Sequence, residues 1–479
     1  MDEILEEIVK NSKVNKDIIQ SYTKHPITGK KYPNRTFYVL LKKYADDFLT
    51  SGNEPRMIGL AGLRGTGKTT LMWQLAEHLY DKNIPIYFFN VNALTTSGYS
   101  LYDALQVFQK VILKKRFTEN IHPLILLFDE VHDDANWAKT LKILYDEART
   151  AFIVCTGSSA LLLHQTADLA RRMKIEKVYP FRFIEFVTAK SFFEKKTIIF
   201  PEKNLANNLK QSLFFSQSVD DAFDILQKLN PSIQNYINKI KEYFNDYKPL
   251  VQEYIKYHNI PSFILYKEKS SILESIFSLF TRIVYEDIPK LNRQISVENE
   301  RIIRLLQQLA ISDEINLNSL SQKTGINKND LEFTLKVIND AELINLLNPY
   351  GGAESRIWRN KKAFFMSPSL RLALLSTIYG MNIPSEKQSK FFEDIIAMYL
   401  CKTFNNNIFI ASQGNSPTPD FVIETMDKPI LLEVGRGKKQ TTQFSRIDCR
   451  YGILVSDNMT EIEKEGNYIK LPLIYFLLL

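Results

Sequence analysis

Only three of the 479 residues are cysteine. Cys155, Cys401 and Cys449 lie far apart with no C-x-x-C spacing, which excludes a disulfide framework and a cysteine zinc site and points to a reducing cytoplasm. Long hydrophobic runs are lacking too. The terminal LPLIYFLLL at 471–479 is far shorter than a bilayer span and reads as a final core element, so no membrane partner is expected. The first residues, MDEILEEIVKNSK, are acidic and amphipathic where a signal peptide would be basic. A strong excess of one charge is also missing: 61 Lys+Arg against 54 Asp+Glu leave +7, which permits nucleic-acid contact without demanding it. The length suits three or four domains, and 45 % hydrophobic with 24 % charged residues suits a soluble globular chain.

Glycine is sparse, at 17 residues, so a cluster of three within six positions is informative. Residues 62–70 read GLRGTGKTT, a complete G-x-x-x-x-G-K-[ST] phosphate loop. Gly62, Leu63, Arg64, Gly65, Thr66, Gly67, Lys68, Thr69 and Thr70 are the candidate cradle, because glycines let backbone N–H groups turn inward and a helix N-terminus follows. Lys68 reaches the β- and γ-phosphates of ATP, and Thr69 offers its hydroxyl to Mg²⁺. An apolar strand, 57–61, precedes the loop, and Leu71, Met72, Leu75 and Leu79 follow at helical spacing.

Downstream, Leu124–Phe128 is apolar on both faces, like a buried parallel strand, and ends in Asp129 and Glu130. Asp129 is the expected metal residue, and Glu130 the carboxylate that orients and deprotonates the attacking water. Ala151–Thr156 is a further buried strand, ending in Gly157-Ser158-Ser159. Where such a strand lies between the phosphate-loop and acidic strands, a polar residue at its end senses the γ-phosphate, and Thr156 or Ser158 fills that role. With Ile84–Asn90, these runs predict a parallel sheet with crossover helices.

The remainder divides by pattern. Residues 1–55 read as an N-terminal helical segment broken by the turn-rich 25–34, 56–188 as the ATPase core, and 189–295 as a helical lid. Residues 296–380 read as helix-turn-helix with a wing: the Thr324-Gly325-Ile326 turn, a third helix capped by Asn327, and a hairpin of 343–347 with 356–359. The exposed face of that third helix mixes Lys328, Asp330, Glu332 and Lys336. Arg356, Arg359, Lys361 and Lys362 in the wing are therefore the better phosphate contacts, and the alternative is a spacer that binds protein.

Residues 385–479 carry Glu393 on a helix, then Pro419-Asp420-Phe421 and Leu431-Leu432-Glu433 on successive strands. This is how PD-(D/E)XK nucleases gather carboxylates around Mg²⁺ to activate water. Gly435 stands where that pattern wants lysine, so Lys438 or Lys439 is the candidate substitute; without one, the fold is a docking module lacking cleavage.

With these motifs in this order, the chain resembles prokaryotic AAA-type ATPases with a C-terminal PD-(D/E)XK-like domain. The resemblance implies an α/β fold: a P-loop NTPase parallel sheet of AAA type with helical lid, winged-helix domain and small α/β nuclease-like domain. It also implies a phosphate-sensing or arginine-finger role for basic residues before the YPFRF turn, matched here by Arg171 and Arg172, in cis or across the boundary of a homo-oligomer. The expected function is an ATP-binding and ATP-hydrolysing switch, with ATP and Mg²⁺ as cofactors, coupling nucleotide state to DNA binding or processing. The alternatives are an ATP-gated scaffold for a protein partner and a DNA-binding regulator with an inactive nuclease-like domain.

Overall fold

Five short strands make the first sheet, and the central ones are apolar in both directions because helices cover both faces. In the computed structural model, which describes residues 2–157, 167–291, 297–312, 315–352, 361–404, 407–411, 418–435, 444 and 447–479, these are β1 (Met57–Ala61), β2 (Ile86–Asn90), β3 (Leu124–Asp129), β4 (Ala151–Gly157) and β5 (Lys174–Lys177). The order is β2-β3-β4-β1-β5 and every pairing is parallel. Side chains alternate between two cores: Leu126 and Phe128 enter one with Leu5, Val9 and Phe108, while Ile125 and Leu127 enter the other with Leu71, Trp73 and Leu75. Because all five strands run the same way, their C-terminal ends share one edge, where α/β sheets bind ligands.

The chain divides into two compact units, Met1–Tyr179 and Pro180–Leu479. The N-terminal helices Glu3–Lys10, Lys16–Thr23 and Tyr38–Ser51 belong to the first. The link between the first two covers the sheet's edge: Val14 N–H donates to Ile86 O at 2.9 Å and Phe88 N–H to Ser12 O at 2.8 Å, which closes an open row of β2 backbone groups.

In the second unit, helices Phe183–Phe193, Leu205–Phe215, Val219–Phe244 and Lys269–Arg282 precede three more, Asn299–Ile311, Leu317–Thr324 and Lys328–Asp340. Gly325 adopts φ +71° to end the second of these, and the Asn327 side chain accepts Asp330 N–H at 2.9 Å to start the third. An antiparallel ribbon follows, β6 (Ile344–Leu347) with β7 (Lys362–Phe365), in the register Leu347↔Lys362. The returning strand is thus 362–365 rather than the expected 356–359, which lies outside the described residues. The shift has a packing cause: Lys362, Ala363, Phe364 and Phe365 are all buried, with the Phe364 ring 5.0 Å from that of Phe421.

Helices Pro368–Tyr379 and Ser385–Phe404 lead to a second sheet of β8 (Ile408–Phe409), β9 (Phe421–Ile423), β10 (Ile430–Gly435), β11 (Tyr451–Ser456), β12 (Glu463–Glu465) and β13 (Tyr468–Pro472), ordered β12-β13-β11-β10-β9-β8. Leu473–Leu479 is buried, and Arg182 Nη1 donates to Leu479 O at 2.9 Å. Among the described residues no helix is long and apolar enough to cross a membrane.

Candidate active site

The phosphate loop follows β1 at the C-terminal edge of the first sheet. Gly62 has φ +156°, and a Cβ there would stand 2.4 Å from Val178 O, so no other residue fits. Gly65 and Gly67 take φ +83° and +86°, wrapping the loop onto the N-terminus of helix Lys68–Tyr80. That end presents unsatisfied N–H groups and a positive dipole to an anion. The buried Lys68 ammonium donates to Gly62 O at 2.8 Å and Leu63 O at 3.2 Å, held over the loop it would serve.

Strand order brings the acidic pair to the loop. β4 lies between β1 and β3, and Thr156 near its end donates to Asp129 Oδ1 at 2.5 Å while accepting Glu130 N–H at 3.0 Å. Thr69 donates to Asp129 Oδ1 at 2.9 Å and Oδ2 at 3.2 Å. Burial raises the Asp129 pKa, as does the Glu130 charge, against hydrogen bonds from Thr156 and Thr69 and the charge of Lys68. A desolvated carboxylate held above its usual range is under-compensated, and beside a threonine hydroxyl it suits a divalent cation. The residues therefore fit Mg²⁺, with Thr69 and Asp129 as its holders.

Glu130 has φ +57°, a left-handed conformation that costs energy in a residue with a Cβ and that clusters at functional sites. Its carboxylate is 28 % exposed, Oε2 lies 3.4 Å from His132 Nδ1, and among the described residues that oxygen accepts no hydrogen bond. The site can therefore hold a metal on one carboxylate and take up a proton on the other.

Residues 54–187 match the family model of the AAA domain. This stretch has the fold of an AAA-type P-loop domain. Along nearly its whole length the chain is also similar to uncharacterized protein MJ1637 of Methanocaldococcus jannaschii, 28 % identical over 97 % of this chain and 94 % of that one. Among solved structures it is similar to the RuvB Holliday junction branch migration motor of Thermotoga maritima, at 13 % identity and TM-score 0.28 over 66 % of this chain and 89 % of that one. The Orc1 protein of Aeropyrum pernix in complex with DNA matches at 9 % identity and TM-score 0.30 over 71 % and 91 %.

In the first unit, a further buried residue carries no local sequence signal. Arg35 donates from Nη1 to Thr66 O at 2.5 Å and from Nη2 to Tyr179 O at 3.0 Å, bracing the phosphate loop against the chain after β5. Ser158 lies outside the described residues. Arg171 and Arg172 are not brought to the loop: Arg172 pairs with Asp146, Nε–Oδ1 2.8 Å and Nη2–Oδ2 3.2 Å, and Arg171 is exposed. β5 runs parallel to β1 with Lys174 level with Ile58, so residues before β5 sit at the opposite edge of the sheet. Within one chain neither arginine faces the cradle.

In the second unit Glu393, Asp420 and Glu433 come together. Glu433 Oε2 accepts Asp420 N–H at 3.1 Å, and Asp420 Oδ2 accepts Val434 N–H at 2.9 Å. Lys362 reaches into the group, 2.8 Å from Glu393 Oε2 and 3.8 Å from Asp420 Oδ1. Burial there corrects its expected role as a surface phosphate contact; Lys361 is exposed. Lys438 and Lys439 lie outside the described residues. Among those described, no group of three or more His, Cys, Asp or Glu side chains is placed to hold a metal ion.

Proposed function

We propose that the chain is an ATP-hydrolysing switch whose nucleotide state governs binding of DNA by its second unit. The observation that carries the ATPase half is the continuous set Thr69–Asp129–Thr156–Glu130 beside a phosphate loop. Lys68 exchanges its carbonyl partners for the β- and γ-phosphate oxygens. Mg²⁺, held by Thr69 and Asp129, supplies charge neutralisation across the phosphates. Glu130 takes the proton of a water whose oxygen bonds to the γ-phosphorus, while the bond from that phosphorus to the β–γ bridging oxygen breaks, giving ADP and phosphate. Thr156 keeps both carboxylates in register by bonding Asp129 through its side chain and Glu130 through its backbone. Asp129→Asn should lose Mg²⁺-dependent phosphate release in a steady-state assay; retained turnover would remove Asp129 from the site.

For the DNA half, support comes from the three helices with β6 and β7, read as a winged helix, and from the basic residues around 356–361. We read β8–β13 with Glu393, Asp420 and Glu433 as nuclease-like. A mobility shift of duplex DNA at low salt, with and without ATP, tests this half: a nucleotide-dependent shift is expected, and no shift where phosphate contacts are strongest would end it. The second reading is a cytoplasmic ATP-gated scaffold. Two observations favour it: Lys328, Glu332 and Lys336 leave the exposed face of helix Lys328–Asp340 mixed in charge, and the segment after β6 is taken up by the second sheet, Tyr350 N–H donating to Ile410 O at 2.8 Å. A role for Arg171 and Arg172 at a phosphate would require a neighbouring copy of the chain.

A further inference from the structure

A cavity of about 730 Å³ opens in the second unit, bounded by the end of helix Phe183–Phe193, by helix Tyr247–Glu253 with the turn Tyr254–His258 that continues it, and by the chain leading into helix Lys269–Arg282. That size suits a small molecule. One wall is fixed by a polar network: Glu253 Oε1 lies 2.7 Å from Lys190 Nζ and 2.9 Å from His258 Nδ1, and His258 Nε2 lies 3.2 Å from Tyr266 O, which pins the incoming chain. Burial works to raise the Glu253 pKa, but His258 and Lys190 outweigh it and hold the carboxyl below its ordinary value, so it stays ionised.

The charges that line this cavity are unevenly compensated. Both glutamates have partners, Glu253 as above and Glu194 in Lys190 at 2.9 Å and Lys196 at 2.7 Å. Lys267 and Lys269 are exposed at the cavity and, among the described residues, pair with no carboxylate; Glu268 between them does not line it. Lys269 Nζ stands 5.6 Å from the centroid of the Tyr257 ring. Tyr257 is half-buried and its hydroxyl makes no hydrogen bond among the described residues. Burial raises its pKa, so at neutral pH it keeps a proton to donate. Phe193, Ile264 and Ile272 add apolar surface.

We propose that this cavity binds a small organic anion with an aromatic body, its ring against Tyr257 and the apolar wall and its anionic group at Lys267 and Lys269. A cation would find no carboxylate here without a partner, whereas an anion finds two ammonium groups that no carboxylate compensates and a phenol free to donate. An inorganic anion would satisfy the charge but leave the apolar wall facing water, so the ring is part of the fit. The site owes nothing to the phosphate loop, which belongs to the first unit.

The test uses anilinonaphthalene sulfonate, an aromatic monoanion whose fluorescence rises on leaving water, titrated into the full-length chain with ADP and Mg²⁺ in excess to keep it off the phosphate loop. One saturable site is expected. Lys267→Glu/Lys269→Glu should weaken it about tenfold or more, and Lys267→Arg/Lys269→Arg should leave it within about threefold of the parent. Both lysines are exposed, so these variants keep the fold. Phenylnaphthylamine, which has the rings without the sulfonate, should bind the parent and the charge-reversed chain alike. Gln252→Trp, which fills the cavity, should remove both probes. No saturable binding to the parent, parent affinity in the charge-reversed variant, equal weakening of both probes, or binding that survives Gln252→Trp overturns the proposal. Should the chain bind no ADP, the ATPase reading falls while the lysine variants still locate the probe.

Discussion

Glu130→Gln should slow ATP turnover by ~10²–10⁴-fold, the range lost with a general base, and leave nucleotide affinity nearly unchanged. The substitution keeps shape, volume and the Glu130 N–H bond to Thr156, which is made by backbone. It keeps Lys68 over the loop and the Thr69–Asp129 contact. What it removes is the ability to accept a proton. Asp129 is the wrong alternative for that task, because its oxygens already accept from Thr69 and Thr156. Glu130 Oε2 accepts no such bond among the described residues and is the oxygen with capacity to spare. Phosphate release under single-turnover conditions and titration with a fluorescent ATP analogue separate the two effects. Turnover within a few-fold of the parent would move the base elsewhere; loss of binding would mean that the left-handed turn at position 130 had collapsed.

Most of the first sheet could be read before any coordinates because each signal is local. An apolar run, three glycines and a lysine within nine residues require a strand, a wrapped loop and a helix in that order. The acidic pair was legible for the same reason, since Asp129 and Glu130 end a strand that is apolar on both faces. The Thr156 contact with Asp129 was not, because it depends on which strands are neighbours in the sheet. Arg35 was invisible because its partners lie 31 and 144 positions away in the chain.

Tertiary context decides where Arg171, Arg172 and Lys362 stand. Arg171 and Arg172 precede a parallel strand, so chain direction alone puts them at the edge away from the phosphates, whatever motif follows them. Lys362 reads as a surface wing lysine because its neighbours Lys361 and Arg359 are basic; its burial follows from Phe364 and Phe365, which pull the strand onto the core. Likewise, the parts expected as lid, winged helix and nuclease-like domain all fall within the one unit from Pro180 to Leu479. Sequence periodicity marks helices but does not reveal when their cores are joined.

Arg371 supplies that join, and Arg371→Met should destabilise the second unit by ~3–5 kcal/mol, the cost of stripping one partner from a buried ion pair. The Arg371 side chain is wholly buried. Nε and Nη2 grip the Asp394 carboxylate at 2.6 and 2.8 Å, and Nη1 donates to Leu309 O and Ala310 O at 3.2 and 3.0 Å. Asp394 Oδ1 also accepts Phe365 N–H at 2.8 Å, so one pair ties helices 299–311, 368–379 and 385–404 to β7. Burial holds the Asp394 pKa up at about 6 even with the guanidinium beside it. Without Arg371 it must rise further, and the sign of the pH dependence follows. The folded variant binds a proton that the unfolded chain releases near the ordinary aspartate value, so stability falls as pH rises from about 4 through the raised folded pKa. Urea unfolding should therefore show a larger deficit for Arg371→Met at about pH 8 than at about pH 5. Arg371→Met/Asp394→Asn, which leaves no buried charge, should recover part of the loss at about pH 8 and little at about pH 5. A deficit below ~1 kcal/mol, or one equal at both pH values, would show that the pair does not hold these elements together.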